Sequence, residues 1–141
     1  MKSLAYHAAK LAIRPKGPVE EALFEHIWQQ APIETVLAAL MQADVCLYAQ
    51  KSDGPDPKPL AMQGDDGKPA MIVFTSAARA AAVARQLPPG AAAPLTQPFK
   101  EVLRWAPIEL GLVINNGSAL AAACTSSHMD ALRKQAGIFR P

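Results

Sequence analysis

Ala70-Met-Ile-Val-Phe-Thr75, running directly into Ser76-Ala-Ala-Arg79 and an alanine-rich stretch to Gln86, decides how this chain is read. The uninterrupted apolar run, with β-branched Ile72 and Val73, predicts a strand buried on both faces. Thr75 or Ser76 then caps a helix over 77–86, because a hydroxyl oxygen accepts from the free N–H groups of a first helical turn. The alanines let such a helix lie close on a sheet. A buried strand feeding a helix belongs to an α/β or α+β domain.

Working outward towards the N-terminus, Val45-Cys-Leu-Tyr-Ala49 is a short β-prone run ended by the turn-rich Ser52-Asp-Gly-Pro-Asp-Pro-Lys-Pro59. Leu60-Ala-Met62 reads as a second strand, and Gly64-Asp-Asp-Gly67 as the turn into 70–75. The middle of the chain is therefore a three-stranded meander. Before it, helical spacing marks 3–13 (Leu4, Ala8, Leu11, Ala12), 19–30 (Val19, Leu23, Phe24, Ile27, Trp28) and a third helix after Pro32 (Ile33, Val36, Leu37, Leu40, Met41). Gly17-Pro18 separates the first two, and Glu20 and Glu21 complement the dipole of the second.

Towards the C-terminus, Leu87-Pro-Pro-Gly90 stops the alanine-rich helix and a short strand follows near 93–95. Pro98 opens a helix with Phe99, Val102, Leu103 and Ala106 on one face, and Pro107 closes it. Leu110-Gly-Leu-Val-Ile114 is a buried strand with Asn115-Asn-Gly117 as its exit turn. Ser127-His-Met-Asp130 has capping-box spacing for a helix over 129–135, with Gly137 as its C-terminal cap. The expected fold is a single α/β (α+β) domain with one mixed sheet that includes the meander. Residues 1–30 are an N-terminal helical extension, and residues 31–141 the α/β domain.

Composition narrows the function. The chain has 141 residues, 50% of them hydrophobic, with 28 alanines and a formal net charge of +2. That is the size and apolar content of one globular domain. No apolar run is long enough for a membrane span. The basic residues Lys2, Lys10, Arg14 and Lys16 all precede the first acid, Glu20, so the body is faintly acidic and nucleic acid is a poor partner. Residues 1–16 lack a clean signal-peptide core, which implies a cytoplasmic product. Cys46 and Cys124 have no metal or redox spacing and read as buried thiols.

Few residues propose chemistry. His7, His26 and His128 stand in no catalytic or metal spacing, and Asp65-Asp66-Gly67 reads as a hairpin turn. Thr75 and Ser76 at the end of a strand, with Arg79 one turn on, form a candidate anion or ligand site, and Asn115-Asn-Gly117-Ser118 shares that ambiguity. Phe24, Ile27 and Trp28 form a candidate protein interface, as large apolar side chains ahead of a small core.

The stretch 45–133 resembles the N-terminal domain of the enhanced serine sensitivity protein (SseB) family. The resemblance rests on the helix ending Leu40-Met-Gln-Ala-Asp-Val45, on Leu60 through Asp65-Asp-Gly67, and on Val73-Phe-Thr-Ser76 with Arg79 and Ala80. The helix around Phe99 to Leu103, the strand and turn Leu112-Val-Ile-Asn-Asn-Gly-Ser118 and the closing helix complete it. It implies a small bacterial α/β domain with no catalytic set to carry over. Longer members continue into a second domain, whereas this chain stops at Pro141.

The functional expectation is a non-enzymatic protein-binding or adaptor domain without a cofactor, with a protein partner or a second copy. Two alternatives stand beside it: an immunity or chaperone-like protein for a secreted toxin or effector, and a small-molecule or anion sensor built on Thr75, Ser76 and Arg79.

Overall fold

A computed structural model describes residues 2–50, 56–64, 66–86 and 93–138. Helices α1 (Leu4–Ile13), α2 (Gly17–Gln29) and α3 (Ile33–Leu40) come first. Strands β1 (Asp44–Gln50), β2 (Lys58–Pro59), β3 (Ala61–Gln63) and β4 (Pro69–Val73) follow. Then α4 (Ala77–Val83) runs into a 3₁₀ turn at Ala84–Gln86, and β5 (Ala93–Pro98), α5 (Phe99–Trp105), β6 (Gly111–Ile114), β7 (Ala122–Cys124) and α6 (Ser126–Gln135) complete the α/β domain. The Leu87-Pro-Pro-Gly90 stop, Asp65 and the first part of the 52–59 turn lie outside the described residues.

The expected single mixed sheet is divided in two by its strand pairing. β1 lies between β2 and β5, both antiparallel to it, and the second sheet has the order β3-β4-β6-β7. The meander is present, but its middle strand changes partners at Leu60. That residue donates its N–H to the Tyr48 carbonyl at 2.9 Å and accepts from the Ile72 N–H at 3.3 Å. One antiparallel bridge, Cys46 to Phe74, joins β1 directly to the end of β4. Away from that bridge, residues 58–63 connect the two sheets, β2 pairing with β1 and β3 with β4. Pro94 and Pro98 cannot donate ladder bonds, and β5 accordingly lies on the edge of its sheet.

Burial on both faces of the central strands follows from a period of two. Val45 and Leu47 of β1 and Met71 and Val73 of β4 enter the main core. Cys46, Tyr48 and Phe74 turn the other way, into a smaller cluster closed by Ala80 of α4. Tyr6 of α1, Leu23 and Phe24 of α2 and Leu40 of α3 belong to the same main core as Leu112, Ile114 and Met129. The stretches before and after residue 30 thus share one hydrophobic cluster.

β7 was not expected, since Ala-Ala-Cys has little strand propensity. It forms because Gly111 lets two backbones close: a Cβ there would sit 2.7 Å from the Cys124 carbonyl oxygen. The start of α6 is also a correction. Thr125, not Ser127, is its N-cap, and the capping box pairs Thr125 with His128. Two residues of shift follow from β7 ending at Cys124, which turns the chain one step later. Gly137, at a φ of 71°, closes the helix as expected.

Candidate functional site

β4 and β6 are parallel, and their carboxyl ends lie side by side, the place where open α/β sheets tend to bind ligands. Thr75 leaves β4 there and Asn115 leaves β6. Asn115 is fully buried with a φ of 53°, a left-handed backbone that asparagine tolerates better than most residues. Its Oδ1 accepts the Thr75 N–H at 2.9 Å, and its Nδ2 donates to Thr75 Oγ1 at 3.0 Å and to the Leu120 carbonyl at 3.3 Å. One amide thereby ties the two strand ends together.

Into this junction α2 sends Glu20, only 3% exposed. Arg79 of α4 grips it with two bonds, Nε to Oε2 at 2.6 Å and Nη2 to Oε1 at 3.0 Å. Thr75 Oγ1 donates to Oε2 at 2.6 Å and the Lys16 N–H to Oε1 at 2.9 Å. Arg79 Nη1 donates in turn to Ser118 Oγ at 3.1 Å, and that oxygen also accepts the Leu120 N–H. Ser76 Oγ accepts the Arg79 N–H and caps α4.

Burial alone would push the Glu20 carboxyl up. The hydrogen bonds from Arg79, Thr75 and Lys16 and the Arg79 charge together outweigh it and hold the carboxyl down at about 2. Glu20 in turn raises Arg79. At neutral pH the carboxylate is thus charged and saturated with donors, a poor general base. It locks α2 to α4 and to both strand ends.

The sequence-predicted anion residues therefore do meet an anion, and it is the chain's own. Thr75 and Arg79 converge on Glu20, while Ser76 is occupied as a helix cap. The 115–118 turn joins the same cluster. Glu20 was the residue missed, because 59 positions separate it from Arg79. One signal was present: Glu20 falls at helical spacing with Leu23, Phe24 and Ile27, a carboxylate on an apolar stripe.

The predicted interface divides. Phe24 is fully buried, edge-on to Tyr6 with ring centroids 5.0 Å apart, and so cannot meet a partner. Ile27 and Trp28 keep 38% and 41% of their surface exposed. The side of α1 turned inward carries Tyr6, Ala9 and Ile13, leaving Leu4, Ala8, Leu11 and Ala12 to solvent. Tyr6 dominates that choice: its hydroxyl donates to Glu25, and Lys2 and Lys10 lie over its ring.

The remaining candidates are structural. Cys46 and Cys124 are free and buried, and burial pushes the Cys124 thiol up to about 12. His128 belongs to the α6 cap, His26 Nδ1 lies 2.6 Å from the Ala31 carbonyl oxygen, and His7 stands edge-on to Tyr6. Between β3 and β4 the Gly64 N–H donates to the Lys68 carbonyl at 2.7 Å and the Gly67 N–H to the Gly64 carbonyl at 3.0 Å, as in a hairpin turn. Among the described residues no three His, Cys, Asp or Glu side chains gather as metal ligands, and no helix is long and apolar enough to cross a membrane.

Comparison with protein families matches residues 19–130 to the SseB protein N-terminal domain. No curated protein and no solved structure matches the chain.

Proposed function

The chain belongs to the SseB protein N-terminal domain family, and from that premise we propose that it is a non-enzymatic bacterial adaptor domain of the cytoplasm, docking a protein partner through α1 and the end of α2. One observation carries this reading. Among the described residues the exposed large hydrophobic side chains are Leu4, Leu11, Ile27, Trp28 and Ile108, and only the last lies outside those two helices. Leu4 and Leu11 stand two turns apart on one side of α1, 86% and 77% exposed. Apolar surface gathered in this way suits a protein interface, with α1 tied to α2 through Tyr6–Glu25 and Lys10–Glu21 and α2 tied to α4 through Glu20–Arg79. The Glu20 carboxylate at the strand ends is saturated with donors, which favours binding over catalysis.

A photocrosslinking residue at position 11, introduced in the bacterium of origin, would capture the partner for identification and reconstitution with purified protein. The Leu4→Lys/Leu11→Lys variant should then bind that partner at least about tenfold more weakly, and Ile108→Lys should bind it normally. Both variants should melt with the wild type, because the altered side chains are exposed. A crosslink only to a second copy would reassign the face to a homodimer. A monomeric chain that crosslinks to nothing would overturn the reading.

A further inference from the structure

Between the end of α1, the start of α2, α4 and the 115–118 turn lies a groove of about 500 Å³. That is the volume of a small-molecule site. Its charged walls are unbalanced: Arg14, Lys16 and Arg79 face a single acid, Glu20. Glu20 is already neutralised by Arg79, and neither Arg14 nor Lys16 has a side-chain ion pair among the described residues. The groove therefore holds excess positive charge although the body of the chain is faintly acidic.

Arg79 has donors left over. Its Nε–H and one Nη2–H go to Glu20 and one Nη1–H to Ser118, which leaves one N–H on each terminal nitrogen with no partner among the described residues. The side chain remains 27% exposed and lines the groove. The bidentate grip of Glu20 sets the guanidinium plane in advance, which removes an ordering cost from any later binding. Beside these cations the lining is mixed: Ile13, Phe74, Ala82 and Val83 are apolar, while Ser76, Asn116 and Ser118 are polar.

We propose that this groove binds a small organic anion. An apolar body would lie along Ile13, Ala82 and Val83, and its oxyanion, carboxylate or phosphate, would take the free N–H groups of Arg79 under the field of Arg14 and Lys16. Glu20 is the positioning residue that aims Arg79. This site is separate from the exposed face of α1 and stands whether or not that face docks a partner.

The test is a ¹⁵N NMR titration of the full chain with phenylacetate, adenosine monophosphate and inorganic phosphate. At least one organic anion should saturate with a Kd below about 1 mM. The shifts should fall on the backbone amides of Ser76, Arg79, Asn116 and Gly117, and which anion binds distinguishes carboxylate from phosphate. Arg14→Ala/Lys16→Ala, whose side chains make no ion pair among the described residues, should weaken binding about fivefold or more and make it less salt-dependent. Arg79→Lys keeps the charge but removes the fork and should weaken it further. If Arg79→Lys does not fold, the double variant decides alone. Absence of saturation by either organic anion would overturn the proposal. So would equal affinity in the double variant, or inorganic phosphate binding as tightly as both organic anions, an adventitious ion only.

Discussion

Replacing Glu20 with glutamine would strip the charge from a carboxylate that receives four hydrogen bonds and would leave Arg79 without its counter-ion. The expected loss at neutral pH is about 3 kcal/mol, read from the urea midpoint, because breaking one side of a buried pair strands the other charge. Acid should erase the difference. The carboxyl is held down from 4.5 to about 2 by the fold, so its contribution is complete above pH 4.5 and is lost as the pH falls through that window. The gap between wild type and Glu20→Gln should therefore shrink steadily from pH 5 to pH 2, and a gap that stayed constant would mean that the pair does not set the acid stability. At this scale the sequence was only partly legible. Thr75, Ser76 and Arg79 were visible as a polar group at a strand end, but the carboxylate that Thr75 and Arg79 bind sits on a helix 59 positions before Arg79.

At the scale of elements the start of α6 separates two readings. Thr125 with His128, and Ser127 with Asp130, both have capping spacing, and no local rule chooses between them. In the structure Thr125 Oγ1 accepts the His128 N–H, and the Thr125 N–H donates to His128 Nδ1. Thr125→Ala should thus cost about 1 kcal/mol in chemical denaturation, while Ser127→Ala should be close to neutral. Equal effects would return the cap to Ser127. Periodicity located α2, α3 and α5, each of which buries one stripe, and continuous apolar runs located β4 and β6. It could not find β7, whose three small residues pair only because Gly111 admits a second backbone. Nor could it say which side of α1 faces in, since that helix offers Leu4 and Leu11 on one side and Tyr6 on the other.

For the whole molecule the question is whether the N-terminal helices unfold with the sheets. Tyr6, Leu23 and Phe24 share one core with Val73, Leu112 and Met129, and the Glu20–Arg79 pair crosses the same boundary. The two tryptophans report on opposite parts of it. Trp28 stacks on Phe24 in α2, and Trp105 of α5 donates its Nε1–H to Gln97 at 2.8 Å. Single-tryptophan variants Trp28→Phe and Trp105→Phe should therefore show coincident fluorescence transitions on denaturation. An earlier transition for Trp28 would mean that residues 1–30 fold as a separate unit. By itself the sequence determined the order of most elements, the burial of β4 on both faces and the family, because apolar period, proline breaks and hydroxyl caps act over a turn or two of chain. Only the tertiary structure decided that Glu20 is the anion at the strand ends, that Leu4 and Leu11 face solvent, and that alanines 122 and 123 make a strand. Those outcomes depend on which surfaces chain closure brings together, and the residues concerned carry no local mark of their distant partners.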